Sequence, residues 1–272
     1  MGSSAQAVSR SGKCIDGTFN LLLRRIPFTG DTNGLMSDTQ GISGWPEEFC
    51  GRVRLFPLPN LVLFPHVVQP LHVFEPRYCD MLTEALATDK LIAMTLLEKG
   101  WEHKLHSKPA ISPTLCIGKV ISHTPTEDGR HNILLLGMKR ATIDEELSEG
   151  KSFRTARVTI QEDVYPDEDL GGRESLAVTL QNLFSNFVPE GLAAQDSFNQ
   201  LVGQKLPLGI LTDTITYALN LPLAIKQQLL AEYNVDIRSR ILIRCLEEQL
   251  RNREDSSYSL MSEDFPPKFS QN

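Results

Sequence analysis

The chain has 272 residues, of which 41% are hydrophobic and 22% are charged. This composition is close to that of an average globular protein and excludes a wholly disordered or fibrous chain. Lys and Arg number 27 against 34 for Asp and Glu, and the net charge of −7 argues against a broad phosphate-binding surface. No apolar run approaches the ~18–20 residues of a membrane-spanning helix. We therefore expect no membrane partner, and the charge disfavours a nucleic-acid partner.

The cysteines are few and widely spaced, and no two of them form a Cys-x-x-Cys pair. This spacing indicates neither a zinc site nor a disulfide framework. Isolated cysteines suit a reducing compartment, and the chain shows no clear secretory signal, so we predict a cytoplasmic location. The five positions are Cys14, Cys50, Cys79, Cys116 and Cys245.

The composition divides the chain into four segments. Residues 1–50 are rich in Ser, Gly, Thr and Asn, and we expect a disordered leader there. Residues 51–165 read as strands, residues 166–253 as helices, and residues 254–272 as a polar, disordered tail. Strands followed by helices favour an α+β fold over a doubly wound sheet.

The strand-rich segment consists of short runs rich in Val, Ile, Thr and Phe, several of which alternate with period two. Asp128-Gly129 marks a hairpin tip between two of them. Gly118 and Gly137 suit bulges or tight bends. One helix interrupts the segment at Pro76, where apolar residues follow at four-residue spacing. The predicted strands are Val53–Leu58, Leu61–Phe64, Val67–Val73, Leu91–Leu97, Thr114–His123, Asn132–Leu136, Arg140–Ile143 and Phe153–Glu162.

The helical segment contains four apolar stripes at helical spacing. Leu176–Phe187 forms the first, Leu211–Leu219 the second, and Pro222 opens the third. Asp236 is expected to cap the fourth helix, which continues to Leu250. These stripes need partners, and the strand-rich segment is an obvious one.

The motifs that would announce an enzyme are absent or incomplete. Gly150-Lys151-Ser152 resembles the end of a phosphate-binding loop, but Glu145 stands where the first glycine belongs and would repel phosphate. His103 and His106 have Lys104 between them and no evident third ligand, which indicates a polar surface loop. We predict no catalytic residue, no cofactor and no metal site. A Ser–Lys dyad is not excluded by spacing, because such partners meet only in the fold.

One stretch is distinctive. Residues 55–65 read LFPLPNLVLFP, and residues 67–78 read VVQPLHVFEPRY. This stretch resembles the start of the Lon N-terminal substrate-binding domain family. The later runs CIGKV at 116–120 and ILLLGMKRA at 133–141 agree in order and spacing, with Cys116 in place of a usual Gly.

The resemblance implies a small PUA-like β-barrel followed by a C-terminal helical bundle. It also implies binding of polypeptide segments or a partner protein. A complete Lon protease needs ATPase and Ser–Lys peptidase modules of several hundred further residues. The chain ends at Asn272, so we expect a stand-alone, non-enzymatic domain protein.

We predict that the chain binds polypeptides by strand addition to an open barrel edge, or by apolar side chains docking on its surface. The alternatives are a hydrolase or peptidase with a dispersed dyad, and an RNA-binding PUA-like module. The sequence leaves the oligomeric state open. The predicted contact residues are Phe64, Val68, Leu71, Phe74 and Arg77.

Overall fold

The computed structural model describes residues 45–46, 48–104, 108–167, 172–188, 203 and 205–262. Nearly all of the predicted leader lies outside these residues, as do residues 105–107 of the predicted polar loop. The last helix reaches Ser262, so the first part of the predicted tail is helical, and residues 263–272 lie outside the description.

The described chain is an α+β fold, as the sequence predicts. A sheet is followed by four helices, and one further helix lies between the second and third strands. The strands are β1 Arg52–Leu58, β2 Val68–Val73, β3 Leu91–Leu96, β4 Thr114–Pro125, β5 His131–Leu147 and β6 Thr155–Gln161. The helices are α1 Pro76–Ala87, α2 Arg173–Ser185, α3 Leu208–Ala218, α4 Leu223–Ala231 and α5 Val235–Ser262.

Two strand predictions are wrong. Leu61–Phe64 forms no strand; it is a buried connection between Pro59 and Pro65, whose missing N–H groups disfavour a ladder. The runs predicted at 132–136 and 140–143 belong to one continuous strand, β5. Its register against β4 shifts beside Gly137, so the strand bends there without ending.

The strands form one six-stranded sheet in the order β2-β5-β4-β3-β1-β6. Because β6 also pairs with β5, the pairings of β1, β3, β4, β5 and β6 run in a closed circuit, to which β2 is added outside. β1 and β3 are parallel and are joined through α1, whereas the remaining pairs are antiparallel. The predicted β4–β5 hairpin is confirmed, with Gly129 at φ +77°.

The apolar residues separate into two cores. The five strands of the circuit share the smaller core, to which each contributes alternate residues. The larger core lies between the sheet and the helices and contains Phe64, Val67, Val73 and the buried face of α1. The smaller core contains Val53, Leu55, Leu91, Ala93, Leu115, Ile117, Ala141, Ala156 and Val158.

Two arginines and two aspartates form a buried ionic network where the helices meet the sheet. Arg140 of β5 pairs with Asp213 of α3 and, at 3.1 Å, with Asp163 after β6. Arg238 of α5 donates from Nη1 and Nη2 to the carboxylate oxygens of Asp163 at 3.0 and 2.8 Å. Arg140 and Arg238 are 3% and 0% exposed, so their charges depend on these partners. The network fixes α3 and α5 against the sheet.

The start of α5 differs from the prediction. The Asn234 Oδ1 atom accepts hydrogen bonds from the backbone N–H groups of Asp236 and Ile237 at 3.0 and 3.1 Å, so Asn234 is the cap. Asp236 does not cap the helix, because its carboxylate accepts a hydrogen bond from Arg173 Nε of α2 at 2.8 Å. The pair joins α2 to α5.

Candidate functional site

A shallow depression lies on the solvent-facing side of the three strands β2, β5 and β4. The antiparallel register forms two cross-strand rows there: Pro70–Leu134–Ser122 and His72–Asn132–Thr124. We call these six residues the outer face. Their alternate neighbours, such as Val73 and Ile133, point into the larger core. The depression has a volume of about 390 Å³ and is lined by the outer face together with Leu71 and Ile133.

The outer face contains no Asp, Glu, Lys or Arg. Pro70 and Leu134 supply apolar surface, and Ser122 and Thr124 supply hydroxyl groups. His72 Nδ1 donates to Asn132 Oδ1, 2.8 Å away. The depression therefore offers apolar contact and hydrogen-bonding groups to a ligand.

Phe74 extends the outer face beyond the end of β2. Its ring lies 5.9 Å from the His72 ring, nearly parallel to it. At 58% exposure it is the most exposed large apolar side chain among the described residues. An exposed aromatic side chain next to a depression is typical of a contact surface.

The five predicted contact residues fall into two groups. Phe64 and Val68 are 0% and 8% exposed, so in this structure they support the fold and cannot touch a partner. Phe64 belongs to the larger core, and Val68 is a buried residue of β2. Leu71 is half-buried at the depression, and Phe74 and Arg77 are exposed. Leu71 borders the depression, but its side chain packs against the larger core. The candidate contacts among the five predicted residues are therefore Phe74 and Arg77.

Arg77 is held at the start of α1. Its Nε and Nη2 atoms donate to Glu75 Oε2 at 3.0 and 2.7 Å, and its guanidinium lies 4.6 Å from the centre of the Tyr78 ring. Burial raises the pKa of Tyr78, so this phenol stays protonated at neutral pH. Arg77 thus presents a charge that is already partly neutralised by its neighbour.

The backbone of β2 has one side free of strand partners. Gly137 N–H donates to Val67 C=O at 2.9 Å, so the backbone groups of every second residue from Val67 point towards β5. By this alternation the backbone groups of Val68, Pro70 and His72 point to the opposite side of β2, which has no strand partner. Pro70 has no N–H, and at this position it costs no ladder bond.

The side chain of Gln69 occupies the Pro70 carbonyl, which is the acceptor that Pro70 presents on the free side of β2. Its Nε2 atom donates to Pro70 C=O at 2.8 Å. Tyr217 of α3 donates its hydroxyl to Gln69 Oε1 at 2.6 Å. The edge of β2 is thereby connected to the helices.

Two histidines at the base of the β4–β5 hairpin also form a pair. His123 Nε2 and His131 Nδ1 are 2.9 Å apart, with ring centres 5.0 Å apart. Burial, and then the neighbouring His131, lower the pKa of His123, so one neutral ring donates to the other. The pair braces the hairpin beside the outer face.

Three serine hydroxyls among the described residues form hydrogen bonds to partners other than His or Lys. The hydroxyl of Ser152 donates to Asp80, that of Ser239 pairs with Thr212, and that of Ser112 accepts from Gln227. Cys116 is fully buried, and burial raises the pKa of its thiol far above neutral pH. In the described ranges no three His, Cys, Asp or Glu side chains are grouped to hold a metal ion.

The sequence alone did not single out Ser122, Thr124, Asn132 or Leu134. The available signal was the alternation on both sides of the Asp128-Gly129 tip, which places these residues on one face once the register is known. None of the helices described is long and apolar enough to span a membrane.

A family profile covers most of the chain. The profile of the ATP-dependent protease La (LON) substrate-binding domain matches residues 52–248. The Lon protease of Heliobacterium modesticaldum is 27% identical over 197 residues, covering 72% of this chain and 24% of that protein. The Lon protease of Parabacteroides distasonis is 28% identical over 146 residues, covering 53% of this chain and 17% of that protein. The chain thus spans a quarter or less of these relatives.

Solved structures share the fold. The Lon N-terminal domain protein from Xanthomonas campestris superposes with a TM-score of 0.51 at 20% identity, covering 71% of this chain and 97% of that one. The N-terminal domain of Mycobacterium avium complex Lon protease gives a TM-score of 0.56 at 19% identity, covering 72% and 98%. At such identities the likeness concerns the fold alone.

Proposed function

Because the chain belongs to the family of the ATP-dependent protease La (LON) substrate-binding domain, we propose that it is a polypeptide-recognition module. The proposed role is non-enzymatic and cytoplasmic. Its partners are polypeptide segments, and its contact surface is the outer face with Phe74. The matched residues 52–248 contain every residue of this surface.

The proposed architecture is a small PUA-like barrel with a helical bundle against it. The closed circuit of strand pairings and the separate core within it support the barrel. The buried network of Arg140 and Arg238 with two aspartates supports a fixed packing of the helices. We place the boundary between the two parts near residue 165.

The observation that carries the proposal is the depression beside the exposed Phe74, whose lining contains no Asp, Glu, Lys or Arg. An ion transferred into this site would lose water without gaining a partner of opposite charge, whereas an apolar side chain would lose only unfavourable hydration. Covering the exposed part of Phe74 contributes about 2 kcal/mol, from ~25 cal/mol per Å² of apolar area. The surface therefore fits uncharged, apolar polypeptide segments.

Side-chain docking explains this surface better than strand addition does. An added strand needs a row of free N–H and C=O groups, but Pro70 has no N–H and its C=O accepts from Gln69. Of the three β2 residues whose backbone groups point to the free side, Val68 is buried and Pro70 is blocked. His72 is then the exposed residue that can offer both its N–H and its C=O to an added strand. Among the five predicted residues, Phe74 and Arg77 are the proposed contacts. Phe64 lies in the larger core, Leu71 packs against it, and Val68 is buried in β2.

Peptide binding to the whole chain tests this proposal. The probe is a fluorescein-labelled, uncharged peptide in which Phe and Leu alternate with Ser and Thr. A second peptide with Asp in place of Phe serves as the charged comparison. We expect fluorescence anisotropy to show tighter binding of the first peptide, and Phe74→Ala to weaken it about tenfold, or ~1.4 kcal/mol.

Val178→Ala is the matched control, because Val178 is 49% exposed on α2, away from the outer face. Equal weakening by both substitutions, or equal binding of both peptides, would contradict the proposal. The RNA-binding alternative receives no support from the lining of the depression, which contains no Lys or Arg.

A further inference from the structure

The free edge of β2 could take part in backbone pairing with another strand, whereas the outer face would contact side chains. An edge strand with unpaired backbone groups is a template for another strand, and proteins protect such edges with proline and with covering side chains. Among the described residues no strand pairs with the backbone N–H and C=O groups of Val68, Pro70 and His72 that point away from β5. The edge is therefore unpaired in the sheet.

We propose that the edge of β2 is a latent acceptor for an extended polypeptide strand, kept closed by Pro70 and Gln69 and braced by Tyr217. Pro70 removes the donor at the middle of the edge. The side chain of Gln69 folds back and occupies the neighbouring acceptor at 2.8 Å. This inference stands whether or not the outer face binds polypeptides.

Tyr217 holds Gln69 in the closing position. The Tyr217 hydroxyl donates to Gln69 Oε1 at 2.6 Å, which leaves the amide nitrogen directed at Pro70 C=O. Burial raises the pKa of Tyr217 to about 12, so the hydroxyl remains a donor throughout the physiological range. Lys226 Nζ donates to the Tyr217 carbonyl at 3.1 Å and helps to fix the end of α3.

The occupant of an opened edge can be specified from the register. β2 already pairs antiparallel with residues 131–136 of β5, from Val73↔His131 to Val68↔Leu136. The sequence of residues 131–136 is thus one that β2 accepts as an antiparallel neighbour. On the free side a strand of this sequence would hydrogen-bond to the backbone groups of Val68, residue 70 and His72. The probe is therefore a fluorescein-labelled peptide HNILLL, flanked by lysines for solubility.

The test uses the full chain and the variant Gln69→Ala/Pro70→Val, which frees one acceptor and restores one donor. We expect the wild type to bind the peptide weakly and the double variant to bind it at least tenfold more tightly by fluorescence anisotropy. A peptide N-methylated at alternate residues, which cannot donate to a strand edge, is expected to lose this gain. Gln228→Ala/Pro113→Val, at exposed positions away from β2, serves as the matched control.

Three results would overturn the proposal. One is wild-type binding as tight as that of the double variant, which would mean that the edge is already open. Another is a double variant with wild-type circular dichroism and melting temperature that gains no affinity. The third is a gain that survives N-methylation, which would place the peptide elsewhere. Gln69→Ala and Pro70→Val alone repeat the test with less disturbance, and each is expected to give part of the gain.

Tyr217→Phe tests the brace separately. We expect faster exchange and shifted resonances of the Gln69 side-chain amide, with a smaller gain in peptide affinity than the double variant shows. An unchanged Gln69 amide would remove Tyr217 from the proposal. The Phe74→Ala experiment addresses the outer face, so failure there and failure at the edge are distinguishable.

Discussion

Asp213→Asn is the most informative perturbation of the fold. Asp213 is 1% exposed and pairs with Arg140, and its Oδ1 atom lies 3.3 Å from Arg238 Nε. The substitution keeps the shape of the side chain but leaves two buried guanidinium groups with Asp163 as their remaining carboxylate. Arg140 keeps its bond to the Leu230 carbonyl at 3.1 Å, which lessens the loss without supplying a charge.

The expected loss is large relative to the stability of a domain. Breaking a buried pair and leaving one charge uncompensated costs about 3–5 kcal/mol. A typical domain is stable by about 5–15 kcal/mol, so the variant loses about a fifth or more of that value. Urea unfolding followed by circular dichroism measures the difference, and the melting temperature is expected to fall by roughly 6–20 °C.

Glu145→Gln provides the matched carboxylate-to-amide control. Glu145 pairs with Arg157 at 3.5 Å, and both side chains are more than half exposed. Solvent screens such a pair, so we expect a change within about 0.5 kcal/mol. The double variant Arg140→Met/Asp213→Leu removes one charge of each sign and should lose less stability than Asp213→Asn. A loss below about 1 kcal/mol for Asp213→Asn would refute the assignment of the network as the junction's main polar contact.

Two further predictions concern other sites. A Cβ at Gly137 would lie 2.0 Å from the Phe64 carbonyl oxygen, so Gly137→Ala should destabilise the chain by about 3 kcal/mol or more. Gly203→Ala is the control, because a Cβ there has no atom within contact distance and should not destabilise the chain. Thermal unfolding compares the two variants. Burial lowers the pKa of Lys226 to about 8 from its ordinary 10.5, so between these pH values the unfolded chain binds a proton that the folded chain has lost, and stability rises with pH. Lys226→Met should flatten this rise in urea titrations at pH 8 to 10.5, and an unchanged slope would contradict the burial of the ammonium group.

Local patterns were sufficient for most of the elements. Period-two alternation in residues 155–160 indicates which face of β6 is buried, and the structure agrees. Helical spacing in residues 211–219 predicts helix α3, but this helix is buried on nearly all sides, including its polar residues Thr212, Asp213 and Thr216. The failure at Leu61–Phe64 has a clear cause. The sequence of a buried apolar run is the same whether the run forms a strand or a buried connection, and here only the flanking prolines indicate a connection.

The outer face could not be predicted from local patterns. It consists of residues from three strands, and a register shift by one residue would exchange its members for core residues such as Ile133. The burial of the predicted contact residues Phe64 and Val68 likewise depends on how the elements pack. Apolar residues in an exposed-looking, proline-rich stretch carry no mark of which side the core lies on. Phe74 is exposed because β2 ends at Val73 and the chain turns into α1.

Helix α3 takes part in both the buried ionic network and the contact with β2. Asp213, in its middle, belongs to the buried network with Arg140, and Tyr217, one turn later, holds Gln69 at the edge of β2. Because residues four apart in a helix are rigidly related, a shift of α3 relative to the sheet would move both contacts together. The buried charges therefore hold in place the helix whose Tyr217 hydroxyl orients the Gln69 amide. Asp213→Asn is accordingly expected to loosen the Gln69 side chain as well as the junction, whereas the missing N–H of Pro70 is unaffected.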